Sequence, residues 1–119
     1  MLLSNILKDL REKIKIDFKK FNPFIKGIQS ESKKISKNFI FVAIKGKKND
    51  GHKFIQEAVN LGAIFIVIEN KNYEKILKKK KINFICTKNS RNLLSKISSN
   101  FYKNQPKTIS AVTGTNGKT

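Results

Sequence analysis

The sequence predicts an α/β fold in which short buried strands alternate with helices. Three short and mainly apolar runs, at positions 39–44, 63–68 and 82–87, are rich in Ile, Val and Phe. Runs of this length and composition are typical of strands buried on both faces of a sheet. Apolar residues at helical spacing separate the runs, and this alternation predicts a parallel sheet. The chain has 119 residues, 39% of them hydrophobic, which is enough for one small domain with a core.

The first twenty residues predict an amphipathic helix. Its apolar residues recur at three- and four-residue spacing: Leu3, Ile6, Leu7, Leu10, Ile14 and Phe18. Ser4 is the expected N-cap, and Asn22-Pro23 ends the pattern. A basic helix of this kind could lie on a membrane surface, but the stripe more often packs on a core, which is the interpretation we favour.

The middle of the chain predicts one helix between two strands. A short segment around Ile28 precedes the first apolar run, and a polar loop at 46–51 follows that run. Apolar spacing over residues 54–61 then predicts a helix that ends at Gly62, the residue type most common after a helix.

Two more helices are predicted on either side of the third strand. Residues 73–77 form the first, and the four lysines at 78–81 are expected to be its solvated end. The second begins at Ser90, which is expected to cap it, and continues through Phe101. Asn104-Gln105-Pro106 then marks a candidate domain boundary.

The last twelve residues predict a strand that leads directly into a phosphate-binding loop. Residues 108–112 are the strand, and Thr113-Gly114-Thr115-Asn116-Gly117-Lys118-Thr119 follows at once. Glycines let several backbone N–H groups face one anion, Lys reaches terminal phosphates, and a Thr hydroxyl can ligate Mg²⁺. The general P-loop pattern requires Gly at the position of Val112, so a glycine-rich turn is the alternative on this motif alone.

Charge, cysteine and hydropathy limit the class of protein. The net charge of +18 comes almost entirely from Lys, whereas nucleic-acid recognition favours Arg, and here only Arg11 and Arg91 are present. A small basic nucleic-acid-binding module is therefore the alternative rather than the main prediction. The single cysteine, Cys86, excludes an internal disulfide and is expected to be a small buried residue. We find neither a run long enough to span a membrane nor a signal peptide, and expect a cytoplasmic protein.

Two motifs resemble the Mur ligase family, which builds peptidoglycan precursors. The loop at 113–119 is similar to the ATP loop of Mur ligases and of their relatives, the folylpolyglutamate synthases and cyanophycin synthetases. Upstream, the segment from Ser32 through Ile40-Phe41-Val42-Ala43 and Gly46 to Asn49-Asp50-Gly51-His52 resembles the N-terminal domain of the third and fourth Mur ligases. The resemblance extends from Gly27 to Thr119.

Within the family, the chain most resembles the ligases that add the third amino acid to UDP-N-acetylmuramoyl-dipeptide. The first two ligases begin with a glycine-rich dinucleotide fingerprint that is missing here, and the fourth usually has Ser in the ATP loop where Thr115 stands. There are departures. The family's Asp-Ser-Arg is Glu31-Ser32-Lys33, its turn Gly is Asn38, and the Gly before the ATP-loop Val-Thr is Ala111. Lys33 lacks the planar fork of Arg, whereas Asn38 is the next-best residue for a left-handed conformation.

The resemblance implies an N-terminal substrate domain at 1–105 and the first strand and P-loop of an ATP-binding domain at 106–119. It places the uridine end of UDP-N-acetylmuramoyl-dipeptide at Ser30 and Ser32. The diphosphate would lie along Lys47, Lys48 and Asn49. For His52 we expect a packing role in its turn rather than a ligand or base.

The resemblance also implies the chemistry of the ATP loop. Backbone donors from Gly114, Thr115, Asn116 and Gly117 would hold ATP, Lys118 would neutralise the transferring phosphoryl group, and Thr119 would help to hold Mg²⁺. The implied reaction activates the D-glutamate carboxylate as an acyl phosphate, which the amine of diaminopimelate or lysine then attacks. We expect a monomer that binds neither nucleic acid nor membrane, and no activity from the 119 residues alone.

Overall fold

The computed structural model describes residues 1–8, 10, 16–46 and 50–103. In this part of the chain, four parallel strands form one sheet in the order of the sequence. The strands are β1 (Gly27–Gln29), β2 (Phe39–Val42), β3 (Ala63–Ile68) and β4 (Asn83–Cys86). The expected parallel α/β fold is therefore confirmed, with β2, β3 and β4 inside the three predicted runs.

Within residues 1–8, 10, 16–46 and 50–103, four helices cover the two faces of the sheet: α1 (Leu3–Ile6), α2 (Ile55–Leu61), α3 (Glu74–Lys79) and α4 (Ser90–Lys103). Three short 3-10 helices, Ser32–Lys34, Gly51–Phe54 and Lys71–Tyr73, lie in the connections. Because crossovers between parallel strands are right-handed, consecutive connections of a sheet in this order lie on the same face. Accordingly α2 and α3 pack together on one face, whereas α1 and α4 pack on the other.

The core is double because the strands are buried on both faces. Along β2, Ile40 and Val42 join the cluster that contains α1 and α4, whereas Phe41 joins the cluster under α2 and α3. All three side chains are fully buried. This two-sided burial explains why β2 and β3 are continuously apolar in sequence rather than alternating.

The strand β1 was not predicted as a strand, although the segment around Ile28 was noted. It has only three residues, too few for any hydrophobic period to be visible. It is a strand because it pairs with β2, in which Phe39 lies opposite Gly27. A Cβ on Gly27 would come within 2.4 Å of the Phe39 ring, so a larger residue here would have to displace that ring.

The prediction of one helix over the first twenty residues was wrong for the described residues 1–8, 10 and 16–20, whereas positions 9 and 11–15 lie outside the described residues. Helix α1 ends at Ile6, and the described residues 18–20 form a turn in which the backbone N–H of Lys20 donates to the Asp17 carbonyl at 3.0 Å. Tertiary pairing overrides the helical pattern, since the Ile25 N–H donates to the Met1 carbonyl at 2.7 Å. In the part of the chain that the structure describes, no helix is long and apolar enough to cross a membrane.

Ser4 is also not the N-cap that the sequence predicts. The residue before α1 is Leu2, and Ser4 lies inside the helix. Asn22 pairs with it twice: its side-chain carbonyl accepts from the Ser4 backbone N–H at 2.9 Å, and its amide donates to the Ser4 hydroxyl at 3.0 Å. Asn22 therefore fastens α1 to the returning chain.

Two predicted turn positions are confirmed. Gly62 ends α2 with φ of 123°, and its N–H donates to the carbonyls of Ala58 and Val59. Asn38 has φ of 63°, the left-handed conformation for which Asn is the best non-glycine residue. The Asn38 N–H donates to the Gly62 carbonyl at 3.0 Å, so the two turns support each other.

The prediction for the start of α4 needs a correction. The helix begins at Ser90, but the capping side chain is Asn89, whose carbonyl oxygen accepts from the Asn92 N–H at 3.0 Å. The Ser90 hydroxyl is instead fully buried without a hydrogen-bond partner. The lysines at 78–81 are exposed, as expected for a solvated helix end. The predicted boundary at 104–106, the strand at 108–112 and the loop at 113–119 lie outside the described residues.

Candidate substrate-binding edge of the sheet

The described part of the predicted substrate site lies at the carboxyl ends of β1 and β2. Ser30 directly follows β1, and Ser32 opens the short helix after it. Gly46, which precedes the predicted diphosphate residues, follows β2. Because β1 and β2 are neighbouring parallel strands, their carboxyl ends meet at one edge of the sheet. Ligands of open α/β sheets bind beyond this edge.

The hydroxyl of Ser32 is held by helix α2. Ser32 is only 7% exposed, and its hydroxyl donates to Oε1 of Glu57 at 2.5 Å. This contact joins the short helix after β1 to the helix after β2. Ser30 is half-buried in the bend before it. Nothing in the local sequence marks Glu57 as part of the site, because the partners are 25 positions apart.

The two charged neighbours of Ser32 point to solvent. Glu31 pairs with Lys34 at 3.5 Å, and both side chains are more than 60% exposed. Lys33, which stands where the family has Arg, is exposed as well. An exposed pair of this kind contributes little to stability.

The loop after β2 is closed at its base by backbone pairing. Lys45 and Asp50 form an antiparallel bridge, and the Gly51 N–H donates to the Ile44 carbonyl at 2.8 Å. A Cβ on Gly51 would lie 2.7 Å from the Ile44 nitrogen, so only glycine allows this approach. Residues 47–49 between the two ends, which are Lys47, Lys48 and Asn49, lie outside the described residues.

His52 joins the base of this loop to the end of β3. The side chain is 1% exposed, and its Nε2 accepts from the backbone N–H groups of Glu69 at 2.9 Å and Asn70 at 3.1 Å. Nε2 therefore carries no proton, and Nδ1 donates to Oδ1 of Asp50 at 2.6 Å. With both ring nitrogens used, His52 has the packing role that the sequence predicted.

The hydrogen bonds of the same histidine also change the pKa of Asp50. Burial alone would raise the pKa of Asp50, but its hydrogen bonds with the His52 side chain and backbone oppose this. Together with the charge of Lys45, they hold the pKa of Asp50 below its usual value. The carboxylate accepts from the His52 N–H at 3.0 Å and thereby caps the short helix Gly51–Phe54.

The ends of β3 and β4 are joined through Glu69. Its carboxylate accepts from the Ser90 N–H at 2.5 Å at the start of α4, where the helix dipole favours an anion. Its backbone carbonyl lies 3.7 Å from the Cys86 thiol. Cys86 is half-buried rather than buried as expected. Burial, together with the charges of Glu74 and Glu69, raises the pKa of the Cys86 thiol against the opposing effect of Lys71, so a thiolate nucleophile is disfavoured.

A groove of about 390 Å³ lies on the other side of α2, between α2 and α3. Apolar side chains from both helices line it, together with the polar side chains of Lys53, Gln56 and Lys80. It contains neither Ser30 nor Ser32, so it is separate from the two predicted substrate residues that the structure describes. Within the described residues, no group of three or more His, Cys, Asp or Glu could hold a metal ion.

The fold is that of the Mur ligases. The model of the Mur ligase family, described as its catalytic domain, matches residues 24–102. This is more than half of the chain, and the chain therefore belongs to the Mur ligase family.

Two relatives specify the resemblance further. The UDP-N-acetylmuramoyl-L-alanyl-D-glutamate--2,6-diaminopimelate ligase of Clostridium tetani is 47% identical over 97 residues, which cover 80% of this chain and 20% of the relative. The ligase of the same name from Caldanaerobacter subterraneus subsp. tengcongensis is 34% identical over all of this chain and 24% of its own length. The chain thus spans only about a fifth to a quarter of these relatives.

Solved structures agree on the fold. MurF ligase from Thermotoga maritima, in complex with ADP, has a TM-score of 0.51 and 31% identity over 66% of this chain and 17% of its own. A MurF structure from Acinetobacter baumannii has a TM-score of 0.61 over 84% of this chain and 20% of its own. At 17% identity, the second likeness shows the fold alone.

Proposed function

We propose that this chain binds the UDP end of UDP-N-acetylmuramoyl-L-alanyl-D-glutamate for a ligase that adds 2,6-diaminopimelate. The single observation that carries the proposal is the identity of 34–47% to ligases of that name, over 80% of the chain in one case and over all of it in the other. Lysine is the alternative amino acid. The ATP-dependent reaction belongs to the whole ligase, of which this chain matches only a part.

The sheet edge supports the binding role. Ser30 and Ser32 after β1 and the loop after β2 would face one ligand, because neighbouring parallel strands end side by side. In the proposal, the serines meet the uridine, and Lys47, Lys48 and Asn49 meet the diphosphate. Two cations and an amide are suitable partners for phosphate oxygens. The proposed substrate domain is residues 1–105, and a UDP-linked substrate made in the cytoplasm would place the protein there.

The donor groups at 113–119 fit ATP and Mg²⁺ by their chemistry. The loop combines glycine N–H groups, the Lys118 ammonium and the Thr119 hydroxyl, the donor set that phosphate and a hard cation require. ATP when bound supplies the phosphoryl group that activates the carboxylate. In the proposal, Gly114, Thr115, Asn116 and Gly117 bind phosphate oxygens, Lys118 balances their charge, and Thr119 is a metal ligand.

The proposal is tested by an NMR titration of the isotopically labelled chain with UDP-N-acetylmuramoyl-dipeptide. Binding by part of a site is weak, and NMR detects dissociation constants in the millimolar range. We expect saturable shifts at Ser30, Ser32 and residues 45–52. A short DNA duplex is the control, which should give only diffuse shifts that disappear as salt is added.

The opposite pattern would favour the alternative function. If the nucleotide sugar causes no shifts and the duplex causes saturable shifts that survive physiological salt, the chain is a basic nucleic-acid-binding module. The net charge of +18 is the observation that keeps this alternative open.

A further inference from the structure

We propose that Glu57 is a positioning residue that makes Ser32 a pure hydrogen-bond acceptor toward the uridine. The inference rests on the proposed function and adds a specificity rule to it: the group of uridine that meets Ser32 is an N–H or O–H donor. The observation is the hydrogen bond that the Ser32 hydroxyl donates to the Glu57 carboxylate at 2.5 Å.

The rule follows from the number of protons available. A serine hydroxyl has one proton to donate and two lone pairs that accept. A carboxylate only accepts, so the proton of Ser32 is committed to Glu57. Any ligand atom that reaches the same hydroxyl must therefore bring its own proton.

The surroundings of Ser32 keep this polarity fixed. Ser32 is 7% exposed, so its hydroxyl has room for few partners besides the Glu57 carboxylate. Its backbone carbonyl accepts from the Ile35 N–H at 3.2 Å, which closes the short helix and limits rotation of the segment. Glu57 lies on α2, whose neighbours Ile55 and Ala58 are buried in the core. The backbone that carries the acceptor is thus fixed by the core, while the Glu57 side chain itself is exposed.

Uridine offers two kinds of donor, the imide N3–H of uracil and the ribose hydroxyls. Its uracil carbonyls are acceptors and would be rejected by an oxygen that cannot donate. A site that requires a donor and does not receive one leaves a polar group unpaired, which is the strongest source of discrimination between similar ligands. The shared requirement is a proton on the ligand, and two analogues separate its possible sources.

The experiment is an NMR titration of the labelled 119-residue chain with UDP, 3-methyl-UDP and 2′-deoxy-UDP. We expect the unsubstituted chain to bind one analogue roughly five- to tenfold more weakly than UDP, as for the loss of one hydrogen bond. Weaker binding of 3-methyl-UDP identifies the imide as the donor, and weaker binding of 2′-deoxy-UDP identifies the ribose. Equal affinity for all three would overturn the inference.

Variants at Glu57 separate positioning from mere stability. In Glu57→Lys the ammonium can only donate, so the Ser32 proton is released toward the ligand and the preference for UDP should fall below about twofold. Glu57→Gln retains an accepting oxygen and should keep most of the preference. Glu74→Lys makes the same charge change on α3 and should leave the preference for UDP unaltered. Thermal unfolding of each variant checks that it remains folded.

The outcomes distinguish this inference from the proposed function. A purely structural role for Glu57 would weaken binding of all three nucleotides equally, and an unchanged preference in Glu57→Lys would refute the polarity rule while leaving the substrate assignment intact. If the unsubstituted chain binds no uridine nucleotide, the proposed function fails and the inference fails with it.

Discussion

The side chain of His52 connects two parts of the backbone that the sequence keeps 17 and 18 positions apart. Its Nε2 is the acceptor for the N–H groups of Glu69 and Asn70 at the end of β3. In His52→Ala both N–H groups would lose their acceptor and a cavity would remain. We expect a loss of about 2–4 kcal/mol in the free energy of unfolding, measured by urea denaturation.

A conservative variant tests whether the acceptor is the important group. Glutamine can place its side-chain oxygen close to the position of Nε2, so His52→Gln should lose clearly less stability than His52→Ala. Equal losses in the two variants would show that ring packing, including the contact with Tyr73 at 5.0 Å between centroids, outweighs the hydrogen bonds.

Asp50 makes a contribution to stability that depends on pH. Its pKa is lower in the folded chain than the ordinary value of 3.8, so the folded state favours the carboxylate. A group with a lowered pKa stabilises the fold above its unfolded pKa, and this stabilisation is lost as the pH falls through the folded pKa. Unfolding free energies of the chain and of Asp50→Asn should therefore differ most near pH 6 and converge toward pH 3.

Comparison with the Asn variant removes the contribution of the other carboxylates, which titrate in both proteins. A difference between the two proteins that stays constant from pH 6 to pH 3 would contradict the role assigned to Asp50. A difference that grows at low pH would contradict it too, because it would require a raised pKa.

At the scale of elements, two neighbouring polar residues at the start of α4 have different roles. Asn89 accepts from the Asn92 N–H at 3.0 Å, whereas the Ser90 hydroxyl is buried without a partner. We expect Asn89→Ala to lower the free energy of unfolding by about 1 kcal/mol, the usual contribution of a cap. Ser90→Ala should be neutral or slightly stabilising, because it removes an unsatisfied buried group.

Thermal unfolding of the two variants measured side by side gives a direct result. If Ser90→Ala is the more damaging change, the hydroxyl is the cap, as the sequence alone suggested. Sequence reasoning could not choose between the two, since both residue types are good caps and only the register of the helix decides.

The distinction between local signals and tertiary contacts explains which elements were predictable. The runs that became β2 and β3 are continuously apolar, and that of β4 is mainly so, because both of their faces are covered, and this signal is visible without a structure. Helix α1 misled the prediction because its apolar spacing continues to Phe18, whereas the chain turns back at Asn22 to pair with Ser4. That pairing spans 18 positions, so no local pattern contains it.

At the scale of the molecule, the candidate site was predictable only in part. The family resemblance indicated Ser30, Ser32 and the loop after Gly46, but not the strand β1 that precedes the serines, and the parallel sheet brings the ends of β1 and β2 together. The partner of Ser32 was not predictable, because Glu57 meets it only once α2 packs beside the short helix Ser32–Lys34. A residue that acts through tertiary contact has no signature of its own in one sequence.

The whole chain also carries a net charge of +18 with few opposing acids, and this excess should weaken the fold. Mutual repulsion of the cations favours the expanded state, and salt screens it, since the Debye length falls from about 30 Å at 0.01 M to about 8 Å at 0.15 M. We therefore expect the midpoint of thermal unfolding to rise by several degrees between these NaCl concentrations.

A charge variant separates screening from other effects of salt. The lysines at 78–81 are exposed, so replacing Lys79 and Lys80 by Glu should reduce the rise without disturbing the core. Replacing the same two residues by Gln should reduce it less, because the change in charge is half as large. A rise of equal size in all three proteins would mean that salt stabilises the fold because its ions are excluded from the protein surface. Repulsion among the lysines would then not limit the stability of this chain.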